Sequence, residues 1–213
     1  MRVRFKGRKG EEPYLRNGKS YIVIAIEFTN MPGQLGAIRY MLENDMGEVE
    51  PYTSNMFEIE SSRLSTTWIF NKRKENHYLI ISKDLAYNSF LEDYYNGDEV
   101  AISKMVDAKA KIYLEELSDD EILYIIKHNV NEKIDVVLYG LTQERNDSFI
   151  DEVINYCRLH LERDEDERLL ISHFKYLSTF NKKQIEDFFI EYLSITLMSN
   201  SKLISIVNEY FDA

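Results

Sequence analysis

The chain has 213 residues, 44% of them hydrophobic and 30% charged, with only 8 glycines and 3 prolines; this excludes a disordered or linker-dominated protein and leaves room for one large domain or two small ones. Its one cysteine, Cys157, excludes an internal disulfide and fits a reducing cytoplasm, no apolar run approaches the roughly 18 residues of a membrane span, and the basic N-terminus lacks a signal peptide's apolar core. The net charge of −11 is uneven, with 22 acidic and 12 basic side chains in residues 107–213 against 15 and 14 in residues 1–106, so the second half repels phosphate backbones and favours a basic protein partner.

The first 82 residues read as β-structure. SYIVIAIEF (20–28) is rich in β-branched and aromatic residues, NDMGE (44–48) is a turn signal, and MFEIE (56–60) alternates apolar and polar positions. TTWIF (66–70) and HYLIIS (77–82) flank the charged stretch NKRKEN (71–76), a hairpin pattern. About five short strands with tight turns predict a small barrel, since closure removes exposed edges. Helical spacing begins after Ile81 and is broken at Asn96-Gly97; Leu85, Phe90 and Tyr94 are placed to cover the barrel's open end. The predicted domains are therefore a β-barrel with a covering helix over 1–97 and a helical domain over 98–213.

From Ser118 onward the pattern is helical throughout. Ser118 with Glu121 forms a capping-box signature, and Asn181 with Gln184 forms a second. Six helices are predicted, the first of each pair starting at Ser118, Asn146 and Asn181 and the second at Asn131, Asp164 and Asn200. These spacings, 28 and 35 for one set and 33 and 36 for the other, suit stacked helix pairs, none of which can bury its apolar face alone. Three helical hairpins forming a short solenoid are expected, with a compact six-helix bundle as the alternative.

LERDEDERLL (161–170) is the most charged stretch of the chain. Asp164 is placed as an N-cap, with Glu165, Asp166 and Glu167 in the first helical turn, where the helix terminus favours each carboxylate by about 0.3–1 kcal/mol. These acids thus have a structural role whether or not a partner meets them. They are also, with Glu162 and with Asp119, Asp120 and Glu121, the candidate contacts for a basic partner.

Two stretches resemble known folds. GKSYIVIAIEF (18–28), followed by Gly47, Pro51 and the strand entered through Phe57, resembles an SH3-like small barrel. With TTWIF (66–70) and FLEDYYNGDEVAISKM (90–105), it is similar to bacterial proteins carrying Phe-Glu-Ile, a later Trp and a final Phe-x-Glu-Asp-Tyr-Tyr, some regarded as immunity proteins of interbacterial toxin systems. The paired tryptophans and the Ala-Leu-Tyr-Asp-Tyr stretch of peptide-binding SH3 domains are missing, so polyproline binding is not expected. Residues 118–211 resemble HEAT-like helical repeats, which implies a protein-binding surface. The implied fold class is α+β, a small SH3-like barrel followed by an all-α HEAT-like unit.

The sequence holds no GxxxxGK[ST], GxGxxG, GxSxG or HExxH motif. Cys157, His160 and His173 form a weak zinc pattern, outweighed by packing roles. The acids at 164–167 lack the spacing of a calcium loop, and nothing pairs Glu27, Glu58 or Glu60 across a cleft. Tyr124, Tyr139, Tyr176, Tyr192 and Tyr210 are expected to be mostly half-buried. Arg2, Arg4, Lys6, Arg8 and Lys9 form a basic arm, the one feature favouring nucleic acid. The expectation is a non-catalytic, cofactor-free cytoplasmic protein that binds a basic toxin domain as an immunity protein; a scaffold or regulatory adaptor is the alternative.

Overall fold

Strand β2 (Ser20–Thr29) organises the first half of the chain. Its Tyr21–Glu27 run is buried throughout, as expected of a strand covered on both faces. The computed structural model describes residues 1–7, 12–30, 36–128, 133–162, 170–195 and 201–212, which form two compact units, Met1–Glu116 and Leu117–Ala213. In the first unit, β1 (Arg2–Phe5) pairs with the start of β2, while β3 (Ala37–Glu43) and β7 (His77–Ser82) pair with the rest of it, all antiparallel. Strand β4 (Val49–Thr53) extends from β3, β5 (Phe57–Ser61) from β1, and β6 (Trp68–Lys74) from β7.

The result is a seven-stranded antiparallel sheet in an α+β chain. The sheet is not closed among the described residues: β4, β5 and β6 each have a single strand neighbour. Closure was expected as the way to remove edges, but the β6 edge is instead protected by exposed Lys72 and Lys74 and by a register shift between them. One sheet face carries a core of Val3, Phe5, Tyr21, Val23, Ile26, Tyr40, Leu42, Tyr52 and Phe57. On the other, Ala25, Met41, Leu79 and Ile81 are buried across three paired strands.

Helix α1 (Phe90–Tyr95) ends at Gly97, whose φ of +81° permits two closing bonds, Gly97 N–H to Tyr94 C=O and Asp98 N–H to Asp93 C=O. Asp98 then caps α2 (Glu99–Glu116) through the Ala101 N–H at 2.9 Å. Helix α2 packs on β2, burying Ala101, Met105, Ala108 and Ile112, which lie along one helical stripe. The compact units therefore divide after Glu116, and α2 lies with the sheet, whereas the sequence placed a boundary at residue 97.

The second unit holds α3 (Asp119–His128), α4 (Ile134–Gln143), α5 (Ile150–Glu162), α6 (Ile171–Ser178), α7 (Lys183–Ile195) and α8 (Ser201–Asp212). Alternate helices pack together: α5 lies against both α3 and α7, and α6 against both α4 and α8, with α3 on α4 and α5 on α6 linking the two rows. Polar contacts join alternate helices. Arg158 bonds Glu191, and Gln184 bonds Asp151, each pair 33 residues apart, so α5 and α7 run parallel in register. Ser172 bonds Asp135 across 37 residues between α4 and α6. Phe174 fills the centre, its ring 5.0–5.6 Å from those of Phe188, Phe189 and Tyr192.

Candidate functional site

The head of α3 is built by the predicted capping box. The Glu121 N–H donates to Ser118 Oγ at 3.3 Å, and the Ser118 N–H donates to Glu121 Oε2 at 2.9 Å. Glu121 is thereby committed to the helix start. Asp119 and Asp120 are exposed, and among the described residues neither forms a salt bridge. Four residues on from Asp120 comes Tyr124, 58% exposed, and four further His128, also exposed. The Tyr124 and His128 rings stack at 4.1 Å, and His128 Nδ1 lies 2.9 Å from the Tyr124 carbonyl. Asp120, Tyr124 and His128 thus share one solvent-facing stripe of α3.

Several other acids of the unit are engaged internally. Asp147 pairs with Lys182, Glu191 with Arg158, Asp151 accepts from Gln184 and Asp135 from Ser172. The second predicted capping box is displaced: α7 begins at Lys183, so Asn181 lies one residue before the helix's flanking position, and Gln184 Nε2 donates to Asp151. Asp164, Glu165, Asp166 and Glu167 lie outside the described residues, as does the side chain of Glu162.

The other candidates separate. Cys157 and His173 are fully buried and His160 nearly so; His173 stacks on Tyr156 at 4.7 Å, and burial pushes the Cys157 thiol well above its ordinary pKa. No group of three His, Cys, Asp or Glu side chains among the described residues is arranged to hold a metal ion. Glu27 is buried between Arg39 and His77, at 2.8 and 2.7 Å, Glu60 pairs with Arg4, and Glu58 is exposed. Of the basic arm, Arg2 and Arg4 belong to β1 and Arg2 pairs with Glu116 at 3.4 Å, Lys6 follows the strand, and Arg8 and Lys9 lie outside the described residues. Of the five tyrosines, Tyr176 and Tyr192 are fully buried, Tyr139 and Tyr210 half-buried, and Tyr124 exposed.

One feature has no sequence counterpart. Where α6 ends, α7 begins and α8 ends, Thr179, Asn181, Glu186, Glu209, Tyr210 and Phe211 help line a partly open cleft of about 650 Å³. Tyr210 was legible only as a tyrosine among acids; its companions are brought in from three helices.

No protein-family model, curated protein or solved structure matches this chain. No helix among the described residues is long and apolar enough to cross a membrane. The functional reading therefore rests on geometry and charge.

Proposed function

We propose that this chain is a non-catalytic protein-binding module, an immunity-type protein that neutralises a toxin domain in the cytoplasm by direct contact. The observation that carries it is the exposed stripe of α3, a stacked Tyr124 beside Asp119 and Asp120. Tyrosine gives a large contact area at low entropy cost, and unpaired carboxylates steer a basic partner. The unit behind the stripe supports this, with 19 acidic and 10 basic residues over 117–213, a net charge of −9. Contacts 33 residues apart between α5 and α7 and 37 apart between α4 and α6 support reading it as HEAT-like repeats, a scaffold for binding surfaces. The long β2, shared by the β1 and β3 pairings, supports an SH3-like reading of the first unit.

The test is coexpression. The product of the adjacent upstream gene is expressed in a test bacterium with and without this chain, and growth is followed. Growth arrest alone, rescue by this chain, and loss of rescue with Asp119→Lys, Asp120→Lys and Tyr124→Ala combined is the expected outcome. A harmless neighbour, or rescue untouched by that variant, removes the reading. The adaptor alternative draws on a second surface: Phe70 at 66% exposure and Ile69 at 39% on the β6 edge.

A further inference from the structure

The cleft at the α6–α7–α8 corner is large enough for a small ligand or one long side chain, since such sites span about 300–1,000 Å³. Both formal charges in its lining, Glu186 and Glu209, are negative. Its hydroxyls offer few protons: Ser178 donates to the Lys175 carbonyl at 3.0 Å and Thr179 to the Tyr176 carbonyl at 2.7 Å. Ser205 donates to Glu209 at 2.9 Å, which anchors that carboxylate. Lys182, in the α6–α7 connection, is tied to Asp147. The C-terminal end of α6 adds negative potential at the same corner.

The apolar part of the lining is Ile206 and two aromatic rings that are held in place. Tyr210 sits edge-on against Phe189 at 5.1 Å, and Phe211 packs on Tyr210 at 5.3 Å with 43% of its surface exposed. Burial raises the Tyr210 phenol above its ordinary pKa against the opposing Lys182 backbone N–H, and the Glu186 charge adds to the rise, so that carboxylate acts on the aromatic wall. Two carboxylates that share a lining with half-buried Tyr210 and exposed Phe211 favour a flat, delocalised cation, which can pair with carboxylate oxygens and lie against a ring together.

We infer that this cleft binds a guanidinium group, presented as an arginine side chain of a protein partner. The inference deepens the reading of the helical unit as a binder of basic protein, and rests on it for biological use. Its chemistry is separable, because the cleft and the α3 stripe share no residue.

The full chain is titrated with N-acetyl-arginine amide, free arginine and the uncharged isostere N-acetyl-citrulline amide, read by calorimetry and by amide chemical shifts. N-acetyl-arginine amide is expected to bind with a Kd of about 1 mM, and the citrulline compound about tenfold more weakly or not at all. Shifts should concentrate in residues 178–186 and 206–211. Glu186→Gln with Glu209→Gln should weaken binding about tenfold, and Phe211→Ala about fivefold. Tighter binding of free arginine than of the blocked compound would reassign the site to a small metabolite and overturn the side-chain source. Equal binding of arginine and citrulline compounds, shifts scattered over other helices, or full affinity in folded variants would overturn the guanidinium site itself. The shift map uses the unsubstituted protein, so the test survives a variant that fails to fold. Failure of the unsubstituted chain to rescue growth, with its arginine binding intact, would sink the toxin reading alone.

Discussion

Phe57→Ala removes the ring around which the first unit's core is arranged. Phe57 is 5% exposed, with ring centres 5.6 Å from Phe5, 5.9 Å from Tyr40 and 6.5 Å from Tyr52. Returning a buried phenylalanine side chain to water costs about 1.5–3 kcal/mol, and the cavity left behind brings such truncations to about 3–5 kcal/mol. Three lost ring contacts place this site near about 4 kcal/mol. Phe57→Leu refills most of the volume and should cost about 1–1.5 kcal/mol. The assay is built into the molecule, because the one tryptophan, Trp68, packs against the same cluster and its emission follows this unit. With a urea slope of about 2 kcal/mol per M, the fluorescence midpoint should fall by about 2 M for alanine and by less than about 1 M for leucine. An alanine shift under about 0.5 M, or equal shifts for both variants, would show that the ring is not central to the core.

Three further outcomes follow from local chemistry. Burial works to raise the Asp45 carboxyl, but hydrogen bonds from Lys19 and Arg16 outweigh it and hold the group below its ordinary value of 3.8. A depressed carboxyl stabilises the fold above the unfolded-state pKa and loses that contribution as pH falls through the folded one, so Trp68-monitored stability should drop below about pH 4. Asp45→Asn should partly flatten that limb, Glu60 and Glu115 being held low as well; an unaltered acid limb would count against the Lys19–Arg16 clamp. Arg145 closes α4 at φ +51°, a left-handed conformation that costs a side-chain-bearing residue about 1 kcal/mol, so Arg145→Gly should raise stability by about 0.5 kcal/mol and the Tm by about 1–2 °C; a lowered Tm contradicts this. Cys157 is fully buried with its pKa raised, so the native protein should resist a thiol reagent that reacts at once in denaturant, and fast native labelling would refute the packing described.

Legibility followed the range of the forces involved. Strand β2, the 71–76 hairpin, the turn at 44–48, the break at Gly97 and the Ser118 box were readable because each depends on residues close in the chain. Strand β1 was read as a basic arm, since two arginines in RVRF outweighed the alternation that buries Val3 and Phe5. Strand β3 was missed because AIRYMLE is rich in helix formers, and its pairing with β2 and β4 overrode that preference. At the candidate site, the acids of α3 were named from charge, but charge alone did not separate committed Glu121 from exposed Asp119 and Asp120, nor show Tyr124 as exposed.

By itself, the amino-acid sequence determined an α+β chain with β-structure first and helices after, and an acidic second half. These are sums over composition and short-range spacing, which hydrophobic periodicity and capping chemistry express directly. Tertiary structure alone decided that the sheet is not closed among the described residues, that α2 packs on β2, that Gln184 of α7 serves Asp151 of α5, and that Glu186, Glu209 and Phe211 meet at one cleft. Each of these outcomes joins residues distant in the chain, where packing and register, rather than local preference, choose the neighbour.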